Sequence, residues 1–219
     1  MAATTHVTCL YDPLCGWCYG ASAILETLAN QPGFAVDFMA TGLFAGDGAR
    51  PMDDGFAEFA WTNDQRISRL TGQPFSDTYR QNVLTDRKRL FDSGPATLAL
   101  TAVTLAAPDL AGAALKAIQT ARYVEGRDIT DIEVLSDVLR IMDLAEVADH
   151  LEHPDESLMA AYSSGINAAR LEMHRFGANG VPALIVGAGD NRRLVQSNAL
   201  FVSPDDLIAR LRAMSEGSA

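Results

Sequence analysis

Three features of the sequence predict an α/β fold with one central sheet and a large inserted helical subdomain. Residues 1–50 read strand, helix, strand; about 125 residues of mostly helical periodicity follow; residues 177–219 read strand, hairpin, strand, helix. A β-α-β beginning and a β-β-α ending can share one sheet. Residues 1–50 and 177–219 are therefore expected to form one domain, and residues 51–176 an inserted helical subdomain whose last helix can pack on the sheet.

Each element has a local cause. Val7-Thr8-Cys9-Leu10-Tyr11 is a β-prone run stopped by the turn signal Asp12-Pro13. From Cys15 onward, Cys18, Ala21, Ile24, Leu25 and Leu28 recur at near-helical spacing until Asn30-Gln31-Pro32-Gly33. Phe34 to Ala40 alternates as a second strand, and three glycines (Gly42, Gly46, Gly48) mark a loop up to Pro51. Helical segments are predicted near 53–71, 75–90, 95–107, 110–124, 131–142 and 154–176. Pro95 suits a first helical turn, and Thr130-Asp131-Ile132-Glu133 reads as a capping box with Thr130 as the cap. Phe56, Phe59 and Trp61 are expected to form a core stripe, and Arg87-Lys88-Arg89 a solvated helix face. Late in the chain, Val181 to Val186 is a compact apolar strand, Gly187 to Asn191 a turn and Arg193 to Gln196 the returning strand. Ser203-Pro204 then opens a final amphipathic helix.

The chain has 219 residues, 48% hydrophobic and 21% charged, with a formal charge of −11. That acidity argues against nucleic acid or an anionic membrane as partner, since both require a concentrated positive surface. No apolar run reaches the ~18–20 residues of a membrane span. Met1 to Thr8 has neither the basic stretch nor the apolar stretch of a secretory signal, so a cytoplasmic location is expected. The three cysteines are too few and odd in number for a structural disulfide framework.

Cys15-Gly16-Trp17-Cys18 carries the chemistry. On a helix, residues three apart share a face with Cβ atoms ~5–6 Å apart, close to the ~3.5–4.5 Å that a disulfide needs. Cys15 falls at the predicted helix start, where unpaired N–H groups and the helix dipole favour a thiolate. Cys18, one turn further in on the apolar face, should be less exposed. This asymmetry makes Cys15 the expected nucleophile and Cys18 the resolving thiol. The pair could instead be half of a zinc site, whose other ligands would have to come from Cys9, His6, His150, His153 and His174. His150 and His153 have HxxH spacing, but Glu152, Pro154 and Asp155 around them read as a solvated terminus, and no metal is expected. Cys9, down the first strand, is expected to be a small core hydrophobe.

The segment Tyr11-Asp12-Pro13-Leu14-Cys15-Gly16-Trp17-Cys18-Tyr19-Gly20, with Gly180-Val181-Pro182-Ala183 about 165 residues later, resembles the active-site segment and the cis-proline loop of the DsbA family of thiol–disulfide oxidoreductases, in particular its cytoplasmic FrnE-like branch. The resemblance implies a thioredoxin fold with an inserted α-helical subdomain, and a cis Pro182 that sets the Val181 backbone beside Cys15 to hold a bound peptide. It implies no cofactor beyond the redox-active disulfide, with glutathione or a thioredoxin-type protein as reductant, and a disulfide- or thiol-bearing protein or small molecule as partner. Gly16-Trp17 departs from the Pro-His dipeptide of DsbA itself. Trp17 cannot offer a thiolate the charge of a histidine, so a less oxidising pair is expected. Trp17 is a candidate substrate contact, or a lid packed on the helical subdomain.

Two other functions use these features. Kappa-type glutathione transferases and hydroxychromene carboxylate isomerases share the scaffold but rely on one activated residue, and Cys18 argues against that reading. A non-catalytic module with Cys15 and Cys18 on zinc is the other.

Overall fold

The computed structural model describes residues 4–216. In chain order its elements are β1 (Thr5–Tyr11), α1 (Gly16–Gly20), α2 (Ser22–Ala29), β2 (Phe34–Ala40), β3 (Arg50–Pro51), α3 (Asp54–Thr71), α4 (Asp77–Asn82), β4 (Leu90–Phe91), α5 (Gly94–Ala106), α6 (Ala111–Tyr123), α7 (Ile132–Ile141), α8 (Ala145–Glu152), α9 (Glu156–Phe176), β5 (Ala183–Val186), β6 (Arg193–Val195) and α10 (Pro204–Glu216).

Four strands form one sheet in the order β2-β1-β5-β6. β1 runs parallel to β2, with Cys9 opposite Phe38, and antiparallel to β5, with Cys9 opposite Leu184. β5 pairs antiparallel with β6. Strand periodicity sorts the side chains to two faces. Val7, Cys9 and Tyr11 join Leu184, Val186 and Val195 in the main core, with Leu25 and Leu28 of α2 and Leu207 and Leu211 of α10. Leu10, Ala183 and Ile185 point the other way, onto Ala169 of α9 with Met173 and Phe176 beside it. Both faces of the sheet are covered. This explains why all four residues of β5 are buried and apolar rather than alternating.

Helices α3 to α9 lie between β2 and β5 in sequence, a thioredoxin fold with a helical insertion. Its hub is α5, rich in small residues, which packs on α6, α7, α8 and α9. Asp53 and Asp155 cap α3 and α9 by accepting from Phe56 N at 2.7 Å and Leu158 N at 2.8 Å. Gly72 and Gly177 end the same helices at φ 76° and 67°, left-handed positions that favour glycine.

The structure corrects the sequence reading in four places. The segment 75–90 is helical only over Asp77–Asn82, and Arg87-Lys88-Arg89 lie in the turns that lead into β4 rather than on a helix face. Residues 143–153, assigned no element, contain α8. Asp131 rather than Thr130 caps α7, accepting from Glu133 N at 3.0 Å, while Thr130 Oγ1 donates to Asp128 at 2.8 Å. Phe59 is 63% exposed, because α3 buries the face formed by Ala57, Asp64 and Ile67. Phe56 packs edge-on against Phe91, and Trp61 lies near Tyr79.

α1 lies against α3 through two glycines one turn apart. A Cβ at Gly16 would overlap Asp64 Oδ1, and one at Gly20 would overlap Ile67 Cγ2. Gly→Ala in a helix ordinarily gains ~0.5–1 kcal/mol, whereas overpacking a close contact costs ~1–3 kcal/mol. Gly16→Ala is therefore expected to lower the urea midpoint of unfolding. A raised midpoint would show that α1 and α3 do not approach this closely.

Candidate active site

The end of β1 places the site. After Tyr11 the chain turns at Asp12-Pro13. Asp12 Oδ1 accepts from Leu14 N at 2.9 Å, and the Asp12 carbonyl accepts from Cys15 N at 3.1 Å. The other carboxyl oxygen accepts from Ser93 Oγ at 2.7 Å and from Phe44 N at 3.1 Å. On the opposite side, Tyr123 of α6 donates its hydroxyl to the Leu14 carbonyl at 2.7 Å. The loop carrying Cys15 is thus held from β1, from the segment after β2, from the start of α5 and from α6.

Cys15 is the residue before α1, with extended backbone (φ −81°, ψ 114°), and its carbonyl accepts from Tyr19 N at 3.1 Å. Its side chain is largely buried, with Sγ 3.5 Å from the Val181 carbonyl, to which it donates. The Val181–Pro182 peptide bond is cis. Val181 is half-buried and Pro182 buried, at the head of β5. Residues 166 positions apart therefore meet at one thiol. A groove of about 520 Å³ lies on the Val181–Pro182 side, lined by residues 177–183 and 194–198 and not by Cys15 itself.

Cys18 lies one turn deeper and is 2% exposed against 8% for Cys15. Burial pushes the Cys18 thiol well up, and proximity to Cys15 adds to the effect. Cys9 is fully buried in the middle of β1, where burial pushes its thiol up to about 12. Trp17 is half-buried, edge-on to Phe201 with ring centroids 5.1 Å apart, and the Arg66 guanidinium of α3 lies 5.7 Å from its ring. It bridges the helical insertion and the segment before α10, so it packs as a lid while one side stays accessible. Among the described residues no three metal-ligating side chains come together, and His150 and His153 lie at the end of α8.

The sequence reading missed the acids. Asp12 is fully buried, and burial pushes its carboxyl up against the pull of Ser93 and the backbone donors. Asp64 of α3, beside Gly16, accepts from Tyr79 Oη at 2.9 Å. Burial raises Asp64 to about 7, while the Tyr79 hydrogen bond and the Arg122 charge oppose the rise. Arg122 is 1% exposed and lies within 5.4–5.7 Å of the rings of Tyr79, Phe91 and Tyr123. The Tyr19 ring stacks on Tyr123 at 4.8 Å, which joins this cluster to α1. Only Asp12 had a local signal, its place before Pro13. Asp64 had none beyond its interruption of an apolar helix face.

No protein-family model matches the sequence, and no curated protein sequence matches it. Among solved structures, the chain is similar to the cytosolic disulfide reductase DsbM from Pseudomonas aeruginosa, at 32% identity and a TM-score of 0.83 over 95% of this chain and 97% of that one. The chain belongs to the DsbA family. A second DsbM structure, determined with GSH, is 33% identical with a TM-score of 0.80 over 95% of this chain and 98% of that one. A putative protein disulfide isomerase from Nitrosomonas europaea shares the fold at 21% identity and a TM-score of 0.82, over 99% of this chain and 100% of that one. A 2-hydroxychromene-2-carboxylate isomerase, at 18% identity and a TM-score of 0.63, covers 98% of this chain and 99% of its own, and shares the fold alone. Among the described residues no helix of this DsbA-family chain is long and apolar enough to cross a membrane.

Asp64 gives the site's surroundings a pH dependence of definite sign. Between the ordinary aspartate value near 4 and about 7, the native state keeps a proton that the unfolded chain has lost. Stability is therefore highest below that window and falls as pH rises through it. Asp64→Asn keeps an acceptor for Tyr79 but cannot ionise. The loss of melting temperature between pH 5 and pH 8 is expected to be smaller in the variant by several degrees. Equal losses would show that Asp64 titrates like a free carboxyl.

Proposed function

We propose that this chain is a thiol–disulfide oxidoreductase in which Cys15 is the nucleophile and Cys18 the resolving thiol. The observation that carries the reading is the placement of Cys15: at the amino end of α1, 3.5 Å from the Val181 carbonyl and 8% exposed, with Cys18 one turn behind it at 2%. Membership of the DsbA family, and the likeness to a cytosolic disulfide reductase, support it.

The cycle follows from thiol exchange. The Cys15 thiolate attacks a substrate disulfide R–S–S–R′, forming a Cys15–S–S–R bond and releasing R′–S⁻. Cys18, deprotonated, then attacks Cys15 Sγ. The Cys15–Cys18 bond forms, the bond from Cys15 to R breaks, and R–S⁻ leaves. Two electrons have passed from the dithiol to the substrate. Two equivalents of a small thiol such as glutathione, or a thioredoxin-type protein, return them. The groove beside Val181 and Pro182 is suited to an extended peptide, whose backbone would pair with Val181 as an added strand, and Trp17 would contact its side chains. The DsbM structure with GSH favours a glutathione-containing disulfide as substrate, and the description of DsbM as cytosolic favours the cytoplasm here.

Single-cysteine variants test the assignment. With oxidised glutathione, Cys18→Ser is expected to accumulate one glutathione adduct on Cys15, seen by intact-mass and peptide analysis, and to lose turnover by at least about a hundredfold. Cys15→Ser should form no adduct and have no activity. Turnover surviving in Cys15→Ser, or an adduct located on Cys9, would refute the roles proposed.

A further inference from the structure

At a formal charge of −11 the surface as a whole repels anions. Many of the cations that could offset this are held in ion pairs, as Arg89 is with Asp128 and Asp131, and Arg140 with Asp149 and Glu152. Beside the two thiols one cation is not. Arg66 is exposed on α3, and among the described residues its guanidinium has neither a carboxylate partner nor a hydrogen-bond acceptor.

What holds the Arg66 guanidinium is an aromatic ring. It lies 5.7 Å from the ring centroid of Trp17, the residue that precedes Cys18 and follows Cys15 by two. Phe201 supports the same ring edge-on, at 5.1 Å between centroids. Asp64, two residues earlier on α3, does not compete for the cation: it is buried and accepts from Tyr79 Oη.

A guanidinium held by a ring keeps all its N–H donors for something else. The group they match best is a carboxylate, which accepts two parallel N–H bonds from the planar fork. Contact with Trp17 also restricts the long side chain beforehand, so less freedom is lost when the anion arrives. An unmatched positive charge at the active-site helix of an acidic protein is therefore complementary to an anionic substrate, and to no group of the chain described around it.

We propose that Arg66 is a specificity residue, which receives a carboxylate of a small anionic disulfide of the glutathione type while Cys15 attacks its sulfur. The inference rests on the assignment of Cys15 as the nucleophile. Each half of glutathione disulfide carries two carboxylates against one ammonium, so the molecule is a net anion that the rest of this surface disfavours. Arg66 takes no part in the exchange of bonds, electrons or protons. It draws the anion in and orients it by charge-assisted hydrogen bonds. Because Arg66 is exposed, its contribution is that of one partly screened ion pair, about fivefold at most in rate.

The test compares two disulfides of different charge. In a Cys18→Ser background, rapid mixing, acid quench and intact-mass analysis give the second-order rate constant for adduct formation on Cys15. It is measured with glutathione disulfide and with uncharged bis(2-hydroxyethyl) disulfide. The readout is the ratio of the two constants, which cancels any change that Arg66 variants impose on Cys15 itself. Arg66→Gln is expected to lower this ratio about three- to fivefold, and Arg66→Glu to lower it further. Raising the salt to about 0.5 M should lower the ratio with Arg66 present and leave it nearly unchanged in Arg66→Gln. An unchanged ratio in Arg66→Gln overturns the proposal, as does equal slowing with both disulfides, which would make Arg66 a support for Trp17 only. A ratio in Arg66→Glu no lower than in Arg66→Gln also overturns it. If neither disulfide leaves an adduct on Cys15 even with Arg66 intact, the Cys15 assignment falls, and the proposal with it.

Discussion

The carboxylate of Asp12 binds together three stretches of chain that are distant in sequence: its own turn at Leu14, the loop after β2 at Phe44, and the start of α5 at Ser93. A carboxyl buried this completely is destabilised by loss of water, and it persists only because hydroxyl and amide donors surround it. The tie is reinforced where Ser93 N donates to the Phe44 carbonyl and where Arg170 of α9 donates to the carbonyls of Thr41 and Gly42. The position of Cys15, three residues beyond Asp12, therefore depends on the insertion as much as on the sheet. Removing the carboxylate would leave several buried donors without partners at once.

The rest of the site repeats this logic. Gly16 and Gly20 let α3 approach the active-site helix, and Tyr123 holds the Leu14 carbonyl from α6. Trp17 leans on Phe201 while Arg66 covers part of its ring. The insertion forms one wall of the site and fixes the depth of Cys18. The second wall comes from the other end of the chain, where β5 pairs antiparallel with β1 and carries Val181 to Cys15. Gly16 also bears on redox character. A side chain at that position would meet the Asp64 carboxyl, so the proline that DsbA has there would have to displace it.

The fold class and the two thiols were legible because their signals are local. The β-prone run Val7 to Tyr11, the near-3.6 repeat from Cys18 to Leu28 and the compact run before Gly187 each reflect neighbours within a few residues. Val181-Pro182 was legible through resemblance, not through any pattern of its own. What stayed hidden depends on partners far along the chain. The role of Asp12 is set by Ser93, 81 residues away. Asp131 outcompetes Thr130 as a cap because Thr130 is already committed to Asp128. Phe59 looked like core because its spacing from Phe56 is helical, yet the face of α3 that is buried is the one that meets the glycines of α1 at Asp64 and Ile67.

The proposed pairing of Cys15 and Cys18 as one redox unit, with Cys9 outside it, follows from position in the fold rather than from cysteine content. Mild oxidation of the folded chain, followed by alkylation of residual thiols and peptide mass mapping, tests it directly. A Cys15–Cys18 disulfide is expected as the dominant product, with Cys9 recovered alkylated only after denaturation. A disulfide that includes Cys9, or Cys15 and Cys18 both recovered as free thiols, would contradict it.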